Sequence, residues 1–288
     1  MLSQEVSSLK PTIEQTVIAP SRNLLSIPVR DLWRYRELLV FLVWRDLKVR
    51  YKQTALGAAW IILQPLINMV IFSLLFGGLL KVSSGNVAYP VFSLAALVPW
   101  NYFSSSITKA STSLVNNVNM ITKVYFPRLI IPISGVLSGL VDFSISFILL
   151  LMLMAYYRVQ LTSAMLMLPV LVLLAMCAAL GFSLWLSALN VRFRDVNYLV
   201  PFLVQAWMYV TPVIYSTNLI PERYRFLLAL NPMTGVVEGF RWALLGNQLA
   251  NAQPPVQVIL VSAAITLVVL VSGILFFRNM ERTFADII

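Results

Sequence analysis

Residues 53–80 read QTALGAAWIILQPLINMVIFSLLFGGLL, with no charged side chain between Lys52 and Lys81. A helix needs roughly 20 apolar residues to cross the hydrocarbon core of a bilayer, so this stretch places the chain in a membrane. Five other regions repeat the pattern: 82–108, 159–191, 196–221 and 242–277 are uncharged, and 129–157 contains one charge, Asp142. The reading is an all-α integral membrane protein with six spanning helices, predicted near 57–80, 89–107, 129–156, 165–190, 197–216 and 255–277. Residues 89–107, with Pro90, Pro99, Asn101 and three consecutive serines, are the weakest of the six, and a bend is expected there.

Composition agrees. Of 288 residues, 59% are hydrophobic and 11% charged, against about 25% charged in soluble domains, which excludes a water-soluble globular protein. A formal charge of +10 from 21 Lys and Arg against 11 Asp and Glu would suggest nucleic acid in a soluble chain. In a membrane protein it points to cytoplasmic loops, and no nucleic-acid partner is expected. The lone Cys177 and the absence of His exclude an intrachain disulfide and a zinc cluster, so no metal is expected.

Lys and Arg are unevenly divided between alternate loops. Residues 1–56 hold nine, 108–128 three, 191–196 two and the tail two, sixteen in all; the other side has five, namely Lys81, Arg158, Arg223, Arg225 and Arg241. Positive charge collects on the cytoplasmic side, so both termini are expected there, as an even number of spans requires. Residues 1–30 form a polar extension without the apolar core of a secretory signal, and it is expected to be retained.

Between the extension and the first span, residues 31–52 mix charge with the apolar stretch Leu38–Trp44, which is too short to cross. An amphipathic helix lying at the interface fits, with Trp33, Tyr35, Trp44 and Tyr51 among the headgroups and the basic residues toward anionic lipid. An ordinary cytoplasmic helix is the alternative. Farther along, residues 217–254 separate the fifth and sixth spans. Asn231 and Pro232 suit an N-cap and first turn, Gly246 suits a stop, and Glu238 and Arg241 sit three apart between them. A helix over 232–245 is therefore predicted, apolar enough to dip into the outer leaflet, with a shorter segment, Pro221–Leu230, before it.

The chemistry that is missing narrows the function. No phosphate-cradling glycine loop occurs, so the chain is not itself a P-loop ATPase, and there is no His to act as general base. No catalytic residue is identified. Asp142 is either a hydrogen-bonded packing residue or part of a passage. In the first span Trp60, Gln64, Asn68, Phe72 and Phe76 recur every four residues, drifting about 40° per step around the helix. In the fifth, Tyr198, Phe202, Gln205 and Tyr209 share one face. Amides exchange hydrogen bonds with hydroxyls and flat rings take the apolar faces of pyranoses, so a sugar conduit and interhelical glue both fit the stripes. The short loop NVRFRDVNYL at 190–199 carries more charge than orientation needs, and a small helix offered to a cytoplasmic partner competes there with a plain basic turn.

Four stretches together carry a resemblance: RDLKVRYKQTALGAAWIILQPL at 45–66, YFPRLIIPIS at 125–134, LNVRFRDVNYLVPFLVQAWMYVTPVIY at 189–215 and LNPMTGVVEGFRWALLG at 230–246. The chain resembles the transmembrane subunits of the polysaccharide exporters of the ABC transporter superfamily, which export O-antigen, capsule or teichoic acid. The resemblance implies a homodimer in the bacterial inner membrane with two copies of a separate ABC ATPase, which binds the ATP and Mg; this chain needs no cofactor of its own. It also implies a channel between the subunits lined by the first and fifth helices. By the same resemblance Arg192, Phe193, Arg194 and Asp195, within 190–197, form the coupling helix on the ATPase. Residues 31–52 are similar to the interface helix, and 217–246 to a pair of short re-entrant helices on the outer side. Pro221, Asn231, Pro232, Glu238, Arg241 and Trp242 then belong to an outer gate. Residues 53–288 make up the six-helix domain.

The implied substrate is an undecaprenyl-linked polysaccharide, O-antigen foremost. Its pyrophosphate would enter at the cytoplasmic surface near Arg30, Arg34, Arg36, Arg45, Lys48 and Arg50. Three rivals remain at this stage: an ABC exporter of small lipids or drugs, which predicts a more uniformly apolar lining; a membrane transferase, which needs converging catalytic groups; and a proton-coupled carrier centred on Asp142.

Overall fold

The computed structural model describes residues 29–52, 59–81, 85, 87–246, 248 and 253–284. Most of the polar extension therefore lies outside the described residues, as do the side chains of Arg30 and Tyr51. Every regular element among the described residues is helical. The order is α1 (Val29–Arg34), α2 (Arg36–Lys52), α3 (Ala59–Phe72, continued by a π-helical stretch, Ser73–Leu79), α4 (Tyr89–Asn116), α5 (Val118–Lys123), α6 (Ile130–Tyr156), α7 (Leu168–Arg192, entered through a 3₁₀ turn at Ser163–Met167), α8 (Val196–Val210), α9 (Glu222–Ala229), α10 (Pro232–Leu245) and α11 (Val256–Glu281).

Among the described residues four helices are long and apolar enough to cross a membrane: Ala59–Leu79, Ile130–Tyr156, Ser163–Arg192 and Val256–Glu281. The other two predicted spans differ from them for separate reasons. Helix α4 has 28 residues, about 42 Å at 1.5 Å per residue, but it is rich in Ser, Thr and Asn. It is the central helix of the fold, packed by α3, α6, α7, α8 and α10, and residues 91–100 are all buried by protein. A helix so enclosed needs no lipid-compatible surface. Its hydroxyls also turn back onto its own carbonyls: Ser105 donates to Tyr102 O, Thr108 to Ser104 O, Ser111 to Thr108 O and Ser113 to Ala110 O. The helix runs through Pro99 without ending. Helix α8 has 15 residues, about 22 Å. It stops at Val210 because Thr211, which precedes Pro212, is forced into extended geometry with ψ 138°.

The apolar core has two parts. The larger runs along α4 and gathers side chains of α6, α7, α8 and α10, including Phe92, Phe103 and Phe240. The smaller joins Leu42 of α2 to Leu114, Ile130, Leu184, Phe277 and Phe284, so α2 is anchored in the body of the protein. Helices α7 and α11 approach backbone to backbone at Gly181 and Gly273: a Cβ on Gly273 would lie 2.5 Å from Gly181 O. Above that contact Trp185 stacks on Phe276 at 4.0 Å.

Candidate functional site

A partly open cleft of about 390 Å³ lies where α2, α3, α4 and α6 meet. Helix α3 supplies Trp60, Gln64 and Pro65, helix α4 supplies Asn101, Ser104, Ser105, Thr108 and Lys109, and helix α6 supplies Asp142, Phe143 and Ser146. The α4 residues recur at intervals of three or four and form one polar face. Arg50 reaches in from the end of α2. Its Nη1 donates to Asp142 Oδ2 at 2.5 Å, and Lys109 Nζ donates to the same oxygen at 2.8 Å. The one carboxylate inside a predicted span is thus held by two cations from two other helices. All three side chains are only part exposed, at 28%, 29% and 20% for Arg50, Lys109 and Asp142. Lining of this kind, flat rings beside amides and hydroxyls, suits a hydroxylated ligand.

The α3 stripe divides along its length. Trp60 and Gln64 are exposed and line the cleft. Asn68 is half-buried, while Phe72 and Phe76 pack against the main core with their rings 6.0 Å apart. The π-helical stretch after Phe72 changes the helical repeat, so the four-residue spacing no longer describes one continuous line there. On α8 the stripe stays outward. Tyr198 is 84% exposed, Phe202 68% and Tyr209 58%, with Gln205 exposed between them. Trp207, on the other side of α8, packs edge-on to Phe103 and Phe182. The outward rings and amide are therefore a face apart from the packing of α8 on α4.

Between α7 and α8, Arg192, Phe193, Arg194 and Asp195 are all exposed. Where a small separate helix is one expectation, the connection is a turn, with Phe193 extended and α8 starting at Val196. Arg192 lies over the Phe193 ring at 5.4 Å. The turn is tied down by buried Asn190, whose Nδ2 donates to Ser111 O at 2.9 Å and to Asn197 Oδ1 at 2.7 Å. Of the basic residues on α1 and α2, Arg34 is exposed, Arg36 lies over Trp33 at 5.0 Å, Lys48 lies over Trp44 at 4.4 Å, and Arg45 pairs with Asp46 at 2.9 Å. Arg50 alone of these turns into the cleft.

The predicted gate residues gather around the chain that leaves α8. Asn231 caps α10, accepting from Met233 N at 3.1 Å, and its Nδ2 donates to Thr211 Oγ1 at 2.8 Å. Arg241 is 3% exposed and donates to the carbonyls of Pro212, Tyr215 and Val213 at 2.6, 3.0 and 2.5 Å. Glu238 accepts instead from Thr217 Oγ1 at 2.8 Å. Pro232 is buried in the first turn of α10, Gly246 ends it, Trp242 is half-buried and Pro221 precedes α9 exposed. Tyr89, which sequence reading did not single out, completes the knot by donating to Ile214 O at 2.7 Å.

Residues 37–245 match the ABC-2 type transporter family. The O-antigen export system permease protein RfbA of Myxococcus xanthus is 32% identical over 260 residues, covering 90% of this chain and 98% of its own length. A protein of the same name from Klebsiella pneumoniae is 28% identical over 253 residues, 88% of this chain and 95% of its own. The polysialic acid transport protein KpsM of Escherichia coli is 24% identical over 240 residues, 83% of this chain and 91% of its own. On the extent of the family match, this chain belongs to the ABC-2 type transporter family of membrane proteins.

Proposed function

We propose that the chain is the channel-forming permease subunit of an ATP-driven exporter that moves a lipid-linked polysaccharide, O-antigen foremost, across the bacterial inner membrane. Similarity over nearly the whole length of permeases named for O-antigen export supports this substrate class. The observation that carries the geometry is the outward face of α8, where Tyr198, Phe202, Gln205 and Tyr209 stand away from the core. Lipid does not favour amides, whereas a second copy of the chain facing this one would enclose them, with Trp60 and Gln64 of α3, in a conduit fitted to sugars. Helices α4 and α8 add to the four long apolar helices to make six crossings, both termini are cytoplasmic, and α9 and α10 are re-entrant on the outer side as its gate.

ATP and Mg act in a separate ABC ATPase, two copies to the dimer. Its nucleotide cycle moves the turn at Arg192–Asp195 and with it the start of α8, so that the width of the conduit follows the ATPase state. The carrier's pyrophosphate is drawn to the basic surface of α1 and α2, including Arg34, Arg36 and Lys48.

The test is purification of the tagged chain from its native membrane in mild detergent, with mass spectrometry of co-eluting proteins and an ATP hydrolysis assay. A stoichiometric P-loop ATPase, released when Arg192 and Arg194 are both changed to Glu, is the expected result. A dimer that carries no ATPase would remove the exporter reading.

A further inference from the structure

We propose that the cleft between α2, α3, α4 and α6 is a subsite for one neutral pyranose unit of the cargo, held by Asn101 and Ser104 of α4 together with Trp60 and Gln64 of α3. The inference rests on the exporter reading for the presence of a glycan. That reading assigns Trp60 and Gln64 to the conduit and gives α4 no part in recognition.

The cleft, of about 390 Å³, falls within the size range of small-ligand pockets, about 300–1,000 Å³. Two of its lining residues, Phe143 and Ser146, lie near the middle of α6, a helix long and apolar enough to cross a membrane. Polar lining at that depth has no hydrogen bonds to gain from lipid. Most of it is satisfied from within the chain. Ser105 and Thr108 donate to carbonyls of their own helix, and Arg50 and Lys109 both donate to Asp142. Gln64, Asn101 and Ser104 differ: among the described residues their side chains make no hydrogen bond. Each amide offers two donors and an acceptor, and the hydroxyl a donor and an acceptor. Asn101 and Ser104 are three apart and so share one face of α4. On α3 the Trp60 ring, four residues before Gln64, is 50% exposed in the same cleft.

Water satisfies amides but gains nothing from an indole. A pyranose uses both, laying its C–H face on the ring while its hydroxyls replace water at the amides. The ionic groups of the cleft are bonded to one another, so the groups that meet a ligand here are uncharged, and a neutral sugar fits them better than an anionic one. No described residue of α8 lines the cleft. The subsite is therefore complete within one chain, whereas the proposed conduit needs a second copy. A site that hydrogen-bonds hydroxyls disfavours a sugar lacking one, which makes Asn101 and Ser104 determinants of which glycan is carried.

The experiment uses the purified exporter with its ATPase in lipid nanodiscs, free of glycoside detergent. The probe is the oligosaccharide released by mild acid from the host's own lipid-linked glycan and labelled with a fluorophore, and its equilibrium binding is read by anisotropy. Losing one neutral hydrogen bond corresponds to about threefold to tenfold in affinity. Asn101→Leu and Gln64→Leu should each weaken binding by that factor, while Ser144→Ala, exposed on α6 outside the cleft, should not. Location is read separately: in a Cys177→Ala, Ser104→Cys variant, alkylation by N-ethylmaleimide should slow several-fold when the oligosaccharide is present. Lack of binding by the wild type, unchanged affinity in Asn101→Leu, or alkylation at position 104 indifferent to the oligosaccharide would each overturn the proposal. If Asn101→Leu does not assemble, Asn101→Ala and the alkylation at position 104 carry the test with the same outcomes. ATPase association and glycan export are recorded on the same complexes. Normal association and export without protection at position 104 defeats this inference alone, whereas a dimer without an ATPase defeats the exporter reading.

Discussion

The guanidinium of Arg241 lies 3.8 Å from the centre of the Phe92 ring, joining α10 to the central helix α4. The same group holds three carbonyls of the segment that follows α8, at Pro212, Val213 and Tyr215. It therefore fixes the end of α8 relative to α4 and α10. At 3% exposure its part in the proposed gate would be to hold backbone rather than to touch cargo.

Arg241→Met should leave those carbonyls buried without donors, at about 1–3 kcal/mol for each group left unpaired. Thermal unfolding of the detergent-solubilised chain should show a clear fall in midpoint. Arg241→Lys should recover only part of it, because an ammonium lacks the planar fork that reaches three acceptors. Equal midpoints for Arg241→Lys and the wild type would contradict the clamp.

Helices α7 and α11 meet where only glycine fits. A Cβ on Gly181 would come within 2.9 Å of Leu270 N, and one on Gly273 within 2.5 Å of Gly181 O. Gly273→Ala should cost about 1–3 kcal/mol through overpacking. Gly78→Ala, whose nearest contact would be 3.8 Å away, serves as the control and should unfold like the wild type.

Asn190, at the end of α7, holds both Ser111 of α4 and Asn197 of α8. Asn190→Ala should loosen the turn that the ATPase is proposed to engage while leaving its charges intact. The expected result is a several-fold loss of ATPase in pull-down at normal subunit abundance, smaller than that of the double charge reversal at Arg192 and Arg194. Full retention of the ATPase would separate the tether from coupling.

On α1 and α2, Arg36 and Lys48 lie over Trp33 and Trp44, an arrangement that would keep their charge at headgroup level in the proposed interfacial position. Replacing Arg34, Arg36 and Lys48 by Gln should lower glycan export without lowering subunit abundance. Unchanged export would remove the proposed role of this surface in collecting the carrier.

The parts of the fold that were legible in the sequence are those whose neighbours are mostly lipid-like side chains. Helices α6, α7 and α11 begin and end within a few residues of the predicted spans, because an uninterrupted apolar run has no competing reading. The N-cap at Asn231 and the stop at Gly246 were legible too, since caps are local. Helix α4 was harder: its serines and Asn101 argue against a membrane span until the helices around it are known. The early end of α8 is written in Thr211 and Pro212, a local signal independent of apolar length. The partners of Asp142 lay beyond sequence reasoning, since Arg50 is 92 residues away and Lys109 33. In the sequence both count simply among the basic residues of the expected cytoplasmic side. Pattern on α3 likewise could not foresee the π-helical stretch from Ser73, which parts Phe76 from the regular helix that holds Trp60, Gln64 and Phe72.

The central claim is that this chain forms the conduit for a polysaccharide. It is tested most directly by deleting the gene from its host and measuring surface polysaccharide together with lipid-linked glycan inside the cell. The account predicts that surface polysaccharide disappears while lipid-linked glycan accumulates at the cytoplasmic face. The wild-type gene should restore export, whereas a Phe202→Leu, Tyr209→Leu double variant that still binds its ATPase should not. Undiminished surface polysaccharide in the deletion, or full export by the double variant, would contradict it.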